Sequence, residues 1–326
     1  MKTSQEILSR KLSDILVSDG IERPIAESVS NALVLSEMSG ESAHGLRMFP
    51  AFREILRLQK EKCTFEVCRE NGSFAVIDGA YQAGPYIATK CMQLAIDRAA
   101  ENGIYTVFAH HANTFGAAFV YSLQAVKQGM IGIVMANTPA QMPVYKGKHR
   151  LLGTNPLCYG IPAKDELPII FDMASSAVAK SRINQAYECG ESIPEGWGLD
   201  KNANPTTNPQ EVLNGGFMLP FADSPKGYGI AMMVDLFAGL LSGAACLDDV
   251  GFLKSGKMNV GQVIVAIDPT KIYGDGFYDR VDEYIRKVKA PGENVRLPGE
   301  KKLENILKAE KEGFEIDDEI YNKLFL

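Results

Sequence analysis

The chain has 326 residues, enough for two average domains or one large α/β unit. Hydrophobic residues make up 46% and charged residues 23%, an ordinary globular composition that excludes disorder and collagen-like repeats. With 34 basic against 40 acidic side chains the net charge is −6, which argues against a general nucleic-acid binder.

Thr3-x-x-Glu6 forms a capping box, and Ile7, Leu8, Leu12, Ile15 and Leu16 recur at helical spacing up to Gly20. A second helix is predicted from Pro24 to Gly40, and a third amphipathic segment over residues 51–59. Two β-prone runs, residues 64–68 and 73–77, flank Asn71-Gly72, a hairpin signal. Helices over 87–100 and 117–128 then alternate with strands over 104–109, 130–136, 157–161 and 169–171. A long apolar helix follows over 228–242, then a buried strand over 263–267 and charged helices over 277–288 and 302–312. This alternation predicts an α/β protein with a mixed or mostly parallel sheet. Residues 195–214, rich in Pro, Asn and Thr, read as a long loop of the kind that lines sites.

The six cysteines are Cys63, Cys68, Cys91, Cys158, Cys189 and Cys246, and none forms a C-x-x-C pair. They read as reduced thiols, mostly in the core of a cytoplasmic protein, rather than zinc ligands or disulfides. Met1-Lys2-Thr3-Ser4 has no apolar segment behind its lysine, so no signal peptide is expected. The longest stretch without Asp, Glu, Lys, Arg or His, 128–145, carries Asn137, Pro139, Gln141 and Pro143, so no membrane span is expected either.

No G-x-G-x-x-G occurs, which argues against a Rossmann phosphate turn. Gly251 to Lys257 approaches a P-loop, but Met258 stands where Ser or Thr is needed, so it reads as a surface turn. No G-x-S-x-G, H-E-x-x-H or EF-hand pattern is present, and no metal site is predicted. Of four histidines, His44 lies between two predicted helices, beside Gly45 and near Arg47. That pairing suits a proton donor with a carboxylate anchor, although the segment alone favours an ordinary surface cap. His110-His111 ends a strand, and Asn113-Thr114-Phe115-Gly116 opens a helix, as a ligand turn or a plain one. Asp172 follows a strand, where it can accept from a ribose or an amide, or cap a helix. Lys226 opens the apolar helix against the helix dipole, a conflict that a bound phosphate would resolve.

Taken in order, the segments are His44-Gly45, Asn113-Thr114-Phe115-Gly116, Gly153-Thr154-Asn155-Pro156 and Asp172-Met173-Ala174. Ile193-Pro194 with Pro205-Thr206-Thr207, Lys226-Gly227-Tyr228-Gly229 and Leu297-Pro298-Gly299-Glu300 complete the series. Across nearly the whole chain this series resembles the malate/L-lactate dehydrogenase family, which has a non-Rossmann nicotinamide-binding fold. The resemblance implies an α/β fold with a helical domain formed from both termini: residues 1–75 plus 277–326, against a cofactor- and substrate-binding region of 76–276. The acidic C-terminal helices would pack beside the N-terminal ones. It also implies a homodimer that moves a hydride between NAD or NADP and a small 2-oxo or 2-hydroxy acid of the malate, lactate or ureidoglycolate type. Implied cofactor contacts are Thr138, Asn155, Asp172, Met173 and Ala174, followed by Lys226, Gly227, Gly299 and Glu300. His44 matches the family's proton donor, and the hydride arriving at a carbonyl leaves an alkoxide that needs one. Three positions depart from the family pattern: Ala43 for a serine, Met48 for an arginine with Arg47 one place earlier, and Thr114 for a histidine. The catalytic candidates are therefore His44, Arg47, Thr114 and, as a substitute from the strand end, His111 (or its neighbour His110). Two alternatives remain open: a cyclic imine reductase of the same family, and a nicotinamide-binding protein without hydride chemistry.

Overall fold

A computed structural model describes residues 2–58 and 65–325 of the chain. Met1, Gln59, Cys63 and Thr64, used in the readings above, lie outside the described residues.

Helix α1 (Gln5–Ser18) starts at Ser4, whose hydroxyl accepts from the Ile7 N–H at 3.3 Å, so the cap falls one residue past the predicted Thr3. Helix α2 (Arg23–Ser39) carries Pro24 in its first turn and stops at Gly40, which takes a left-handed φ of 89°. Leu8, Leu12 and Leu16 of α1 share a core with Val29 and Leu33 of α2. Helix α3 (Phe49–Leu58) is clamped to the end of α1, because Asp19 accepts from both Arg53 and Arg57 at 2.5 Å.

Seven strands form the central sheet: β1 (Glu66–Glu70), β2 (Phe74–Asp78), β3 (Ile104–Ala112), β4 (Ile131–Ala136), β5 (Leu157–Ile161), β6 (Ile169–Met173) and β7 (Val260–Ile267). Their spatial order is β1-β2-β3-β7-β4-β5-β6. Only β2 and β3, joined through helix α4 (Gly84–Asn102), run parallel. The sheet is therefore mixed but not mostly parallel. The reason is β7, which returns from far along the chain and inserts antiparallel to both β3 and β4.

Helix α5 (Phe119–Val126) packs on β4 and β5. Helix α6 (Lys180–Cys189) escaped the pattern reading because only Ile183 and Ala186 of its ten residues are buried. Helix α7 (Pro225–Val234) continues into a π-helix over Asp235–Leu241, where one long α-helix was expected. There Asp235 is buried and accepts from Asn137 and from the Leu247 N–H, both at 3.2 Å. The expected loop over 195–214 instead holds short elements. Gly198–Leu199 pairs with Pro205–Thr206 and Phe217–Met218, and Asn208 caps a five-residue helix over Pro209–Leu213.

One core joins the terminal helices to the sheet, through Leu12, Leu33, Ile77, Val107, Ile264 and Leu303. A smaller one, with Met142, Ile183, Ile193 and Met218, lies under the segments between Met142 and Ala231. Helix α8 (Phe277–Lys289) packs through Val281 and Ile285 on Ile169 at the β6 edge, away from the N-terminal helices. Helix α9 (Glu300–Glu312) does lie beside α2, with the Asn305 amide donating to the Ser39 carbonyl at 3.0 Å. Of the five described cysteines, Cys91 and Cys158 are buried, while Cys68 and Cys189 are exposed, so the thiols are not mostly in the core. Among the described residues no helix is long and apolar enough to cross a membrane.

Candidate active site

Glu37, in the last turn of α2, shapes the loop that carries His44. Its carboxylate accepts from the Ser42 hydroxyl at 2.8 Å and from the Leu46 N–H at 3.0 Å. Gly45 sits so close that a Cβ there would meet the Glu37 carboxylate at 2.3 Å, which is why glycine follows the histidine. The loop forms one wall of a cleft of 320 Å³. The opposite side is built at a single sheet edge, because antiparallel pairing brings the end of β4, the start of β5 and the end of β6 together. Thr114 to Ala118 and the start of α6 close the rest.

The charges inside are few. Lys302, on the first turn of α9, reaches Glu41 at 3.1 Å and Asp172 at 3.8 Å, with its ammonium 5.0 Å from the centre of the Phe119 ring. Asp172 also accepts from the Phe119 N–H at 3.1 Å, so it caps α5 from a facing strand. Burial pushes its carboxyl above the usual range, against the pull of Lys302 and of that N–H. Burial likewise lowers the His44 pKa below its ordinary value, outweighing Asp172 and Glu41, which pull the other way. At His44 the cleft therefore favours the neutral imidazole.

Thr138 and Thr154 touch through their hydroxyls at 3.3 Å on the cleft floor. Asn155 lies beneath them, fully buried. It accepts from the Thr138 N–H at 3.1 Å and donates to the Ala231 carbonyl at 2.9 Å, tying the floor to α7. Gly153 is required there, since a Cβ would sit 2.1 Å from the Thr138 carbonyl oxygen.

The donor set suits two kinds of group. Helix α6 has no side-chain cap at Ala179, and Ala179, Lys180 and Ser181 line the cleft, so backbone N–H groups and an ammonium are available there to an anion. Phe115, Pro156, Met173, Met258 and Val260 supply apolar walls for a flat ring. A nicotinamide nucleotide and a small carboxylate both fit these residues.

The sequence model of the family described as malate/L-lactate dehydrogenase matches residues 3–325. The chain belongs to this family. It is 38% identical to the malate/(S)-sulfolactate dehydrogenase of Methanothermus fervidus, over 95% of this chain and 92% of that one. It is 32% identical to the ureidoglycolate dehydrogenase (NAD+) of Escherichia coli, over 99% and 95%. Among solved structures, the Δ1-piperideine-2-carboxylate reductase of Pseudomonas syringae superposes with a TM-score of 0.92 at 26% identity, covering 99% of this chain and 98% of that one. The mixed α/β sheet is thus the fold of this dehydrogenase family, and the protein is an oxidoreductase.

Six of the residues singled out from this dehydrogenase's sequence line the cleft: His44, Thr114, Thr138, Asp172, Met173 and Ala174. Asn155 supports it from below. Arg47 is exposed on an adjoining groove that shares Glu41, Ala179 and Ser181 with the cleft. His111 lies outside the cleft lining, against Asp78. Gly227 packs on the Phe221 carbonyl and Lys226 is exposed in the first turn of α7. Gly299, at φ 78°, packs on the Ile170 carbonyl, and Glu300 binds Lys289 while accepting from the Leu297 N–H. Both follow an apolar groove lined by Tyr159, Ile169, Tyr284 and Pro298. The sequence reading missed Lys302 as a site residue. Nothing local separates it from Lys301, yet their side chains are 21% and 70% exposed.

Proposed function

We propose that this dehydrogenase transfers a hydride between a nicotinamide cofactor, NAD or NADP, and a small 2-hydroxy or 2-oxo acid, with His44 as acid and base. The carrying observation is the cleft's inventory. Among the described residues lining it, His44 is the one imidazole, the side chain whose ordinary range lies nearest neutral pH, and Thr114 leaves it no histidine partner there. Phe115, Met173 and Val260 of the apolar wall would hold a nicotinamide ring, which would supply or accept the hydride. In oxidation, a nitrogen of the neutral His44 imidazole takes the hydroxyl proton as the C–H hydride leaves. In reduction, the same nitrogen, protonated beforehand, returns that proton to the alkoxide. Lys302 holds Asp172 and Glu41 paired, so their charges stay off the substrate carboxylate. That carboxylate faces the uncapped start of α6, with Arg47 as a further anchor from the adjoining groove.

Lys226 and Gly227 at the α7 start, and Gly299 with Glu300 beside the apolar groove, are assigned to the cofactor's distal half. A Lys226→Met variant should bind cofactor more weakly, and unchanged cofactor titration would remove Lys226 from that role.

A homodimer is part of this reading. Met232, Leu236, Phe237, Leu240 and Leu241 are each 40–67% exposed along α7 and the π-helix, an apolar ridge that a second copy would cover.

The test follows NADH and NADPH oxidation by absorbance against a panel of 2-oxo acids and cyclic imino acids. Turnover on a 2-oxo acid with either cofactor is expected. Turnover confined to the imines would move the substrate class, and cofactor binding without any turnover would replace the enzyme reading with a binding one.

A further inference from the structure

Asp78, His110 and His111 meet outside the cleft. Asp78 ends β2, and His110 sits opposite it in the parallel register, so both side chains stand on the same half-exposed face of the sheet. Strand alternation would send His111 to the other face, with Ala109. Two features prevent this. The register of β3 against β7 shifts by one residue between Ala109 and Ala112, and His111 takes a left-handed φ of 50°. Bulges of this kind re-aim a side chain. Here the His111 Nδ1 comes to lie 3.1 Å from the His110 Nδ1 and 3.1 Å from each Asp78 carboxylate oxygen.

Protons satisfy this arrangement only through one shared N–H. Each ring nitrogen offers one lone pair or one N–H, not both. A proton on the His111 Nδ1 serves Asp78 and must be shared with His110. A proton on the His110 Nδ1 serves His111 and leaves the His111 lone pair against the carboxylate. A cation satisfies all three groups together. Tetrahedral ligands about 2.0–2.1 Å from an ion stand about 3.3–3.4 Å apart; the two pairs made by His111 come close to that spacing, and all the ligand atoms lie within 4.8 Å of one another. The ligands are also held in place. Tyr81 stacks on the His111 ring at 4.9 Å, the Asn259 side chain accepts from the His111 N–H at 3.0 Å, and the Ala80 N–H donates to Asp78 at 2.8 Å.

We propose that Asp78, His110 and His111 bind one divalent transition-metal ion of the Zn2+ class, with water completing its shell. Two imidazoles and one carboxylate favour Zn2+, Co2+ or Ni2+ over Mg2+ and Ca2+. His111 precedes Thr114 by three residues, so the ion braces the turn that forms one wall of the cleft. The site stands whether or not the dehydrogenase reading does, and its test reads binding rather than turnover.

Zn2+ alone is titrated by calorimetry into chelator-stripped full-length protein, alongside His110→Asn, His111→Asn and, as an exposed control, His149→Asn. Asparagine tolerates the left-handed backbone at position 111, and melting without Zn2+ checks that each variant is folded. The expected result is one Zn2+ per chain in the micromolar range or tighter, a Tm raised by Zn2+, and at least ~10-fold weaker binding in the first two variants only. Co2+ should then show the visible absorption of a low-symmetry site in the parent protein and lose it in His110→Asn. Millimolar binding or none in the parent protein, or stoichiometric binding retained in both cluster variants, would overturn the proposal.

Discussion

His44, Lys302 and Asp172 set one another's charge, and the signs of their couplings yield a prediction. The His44 pKa lies below its ordinary value, so oxidation should rise as pH increases through a value under about 6.5 and then level off. Reduction, which needs the protonated ring, should fall through the same value. Lys302 is one of the groups that lowers it. A Lys302→Met variant should therefore move both limbs to higher pH, as kcat/KM profiles in the two directions would show; limbs that stay put would uncouple Lys302 from His44. At this scale the sequence marks His44 as a candidate, because an ionisable side chain next to Gly45 at a helix boundary is visible locally, although local pattern alone does not separate a proton donor from a cap. Lys302 is not visible, because its partners Glu41 and Asp172 come from the far side of the fold. His110 and His111, which the sequence puts at a strand end, are aimed by a bulge that local pattern does not reveal.

Among the elements, the helices whose apolar stripe carries the core are found within a few residues of their sequence positions, as α1, α2 and α4 are. Helix α6 lacks that stripe, and the place of β7 between β3 and β4 depends on pairing more than a hundred residues apart in sequence, so neither follows from local pattern. One contact between elements is open to measurement. Asp19, whose side chain is 8% exposed, clamps α1 to α3, and Arg53 and Arg57 hold its carboxyl far below the usual range. Asp19→Ala should cost about 1–3 kcal/mol, mainly through Arg53, because Arg57 is half exposed and more strongly screened. A lowered carboxyl pKa contributes stability that is intact above the unfolded value of about 4 and is lost as pH falls below it. Urea unfolding of both proteins at neutral pH and near pH 3 should show the gap shrinking in acid; a gap independent of pH would mean the clamp is packing rather than charge.

For the whole molecule, the apolar ridge on α7 and the π-helix lies behind the cleft floor, since Asn155 binds Ala231 and Asn137 binds Asp235. Covering that ridge with a second copy would stiffen the floor. Leu240→Asp places a charge where the side chain is 67% exposed, so the fold should survive while light scattering reports a monomer in place of a dimer. An unchanged mass would put the dimer contact elsewhere. The most direct check on the account is the turnover of His44→Asn measured beside its cofactor affinity, on the best substrate of the parent protein. At least ~10²-fold slower turnover with unchanged cofactor binding is predicted. Near-normal turnover would contradict the assignment of the proton to His44.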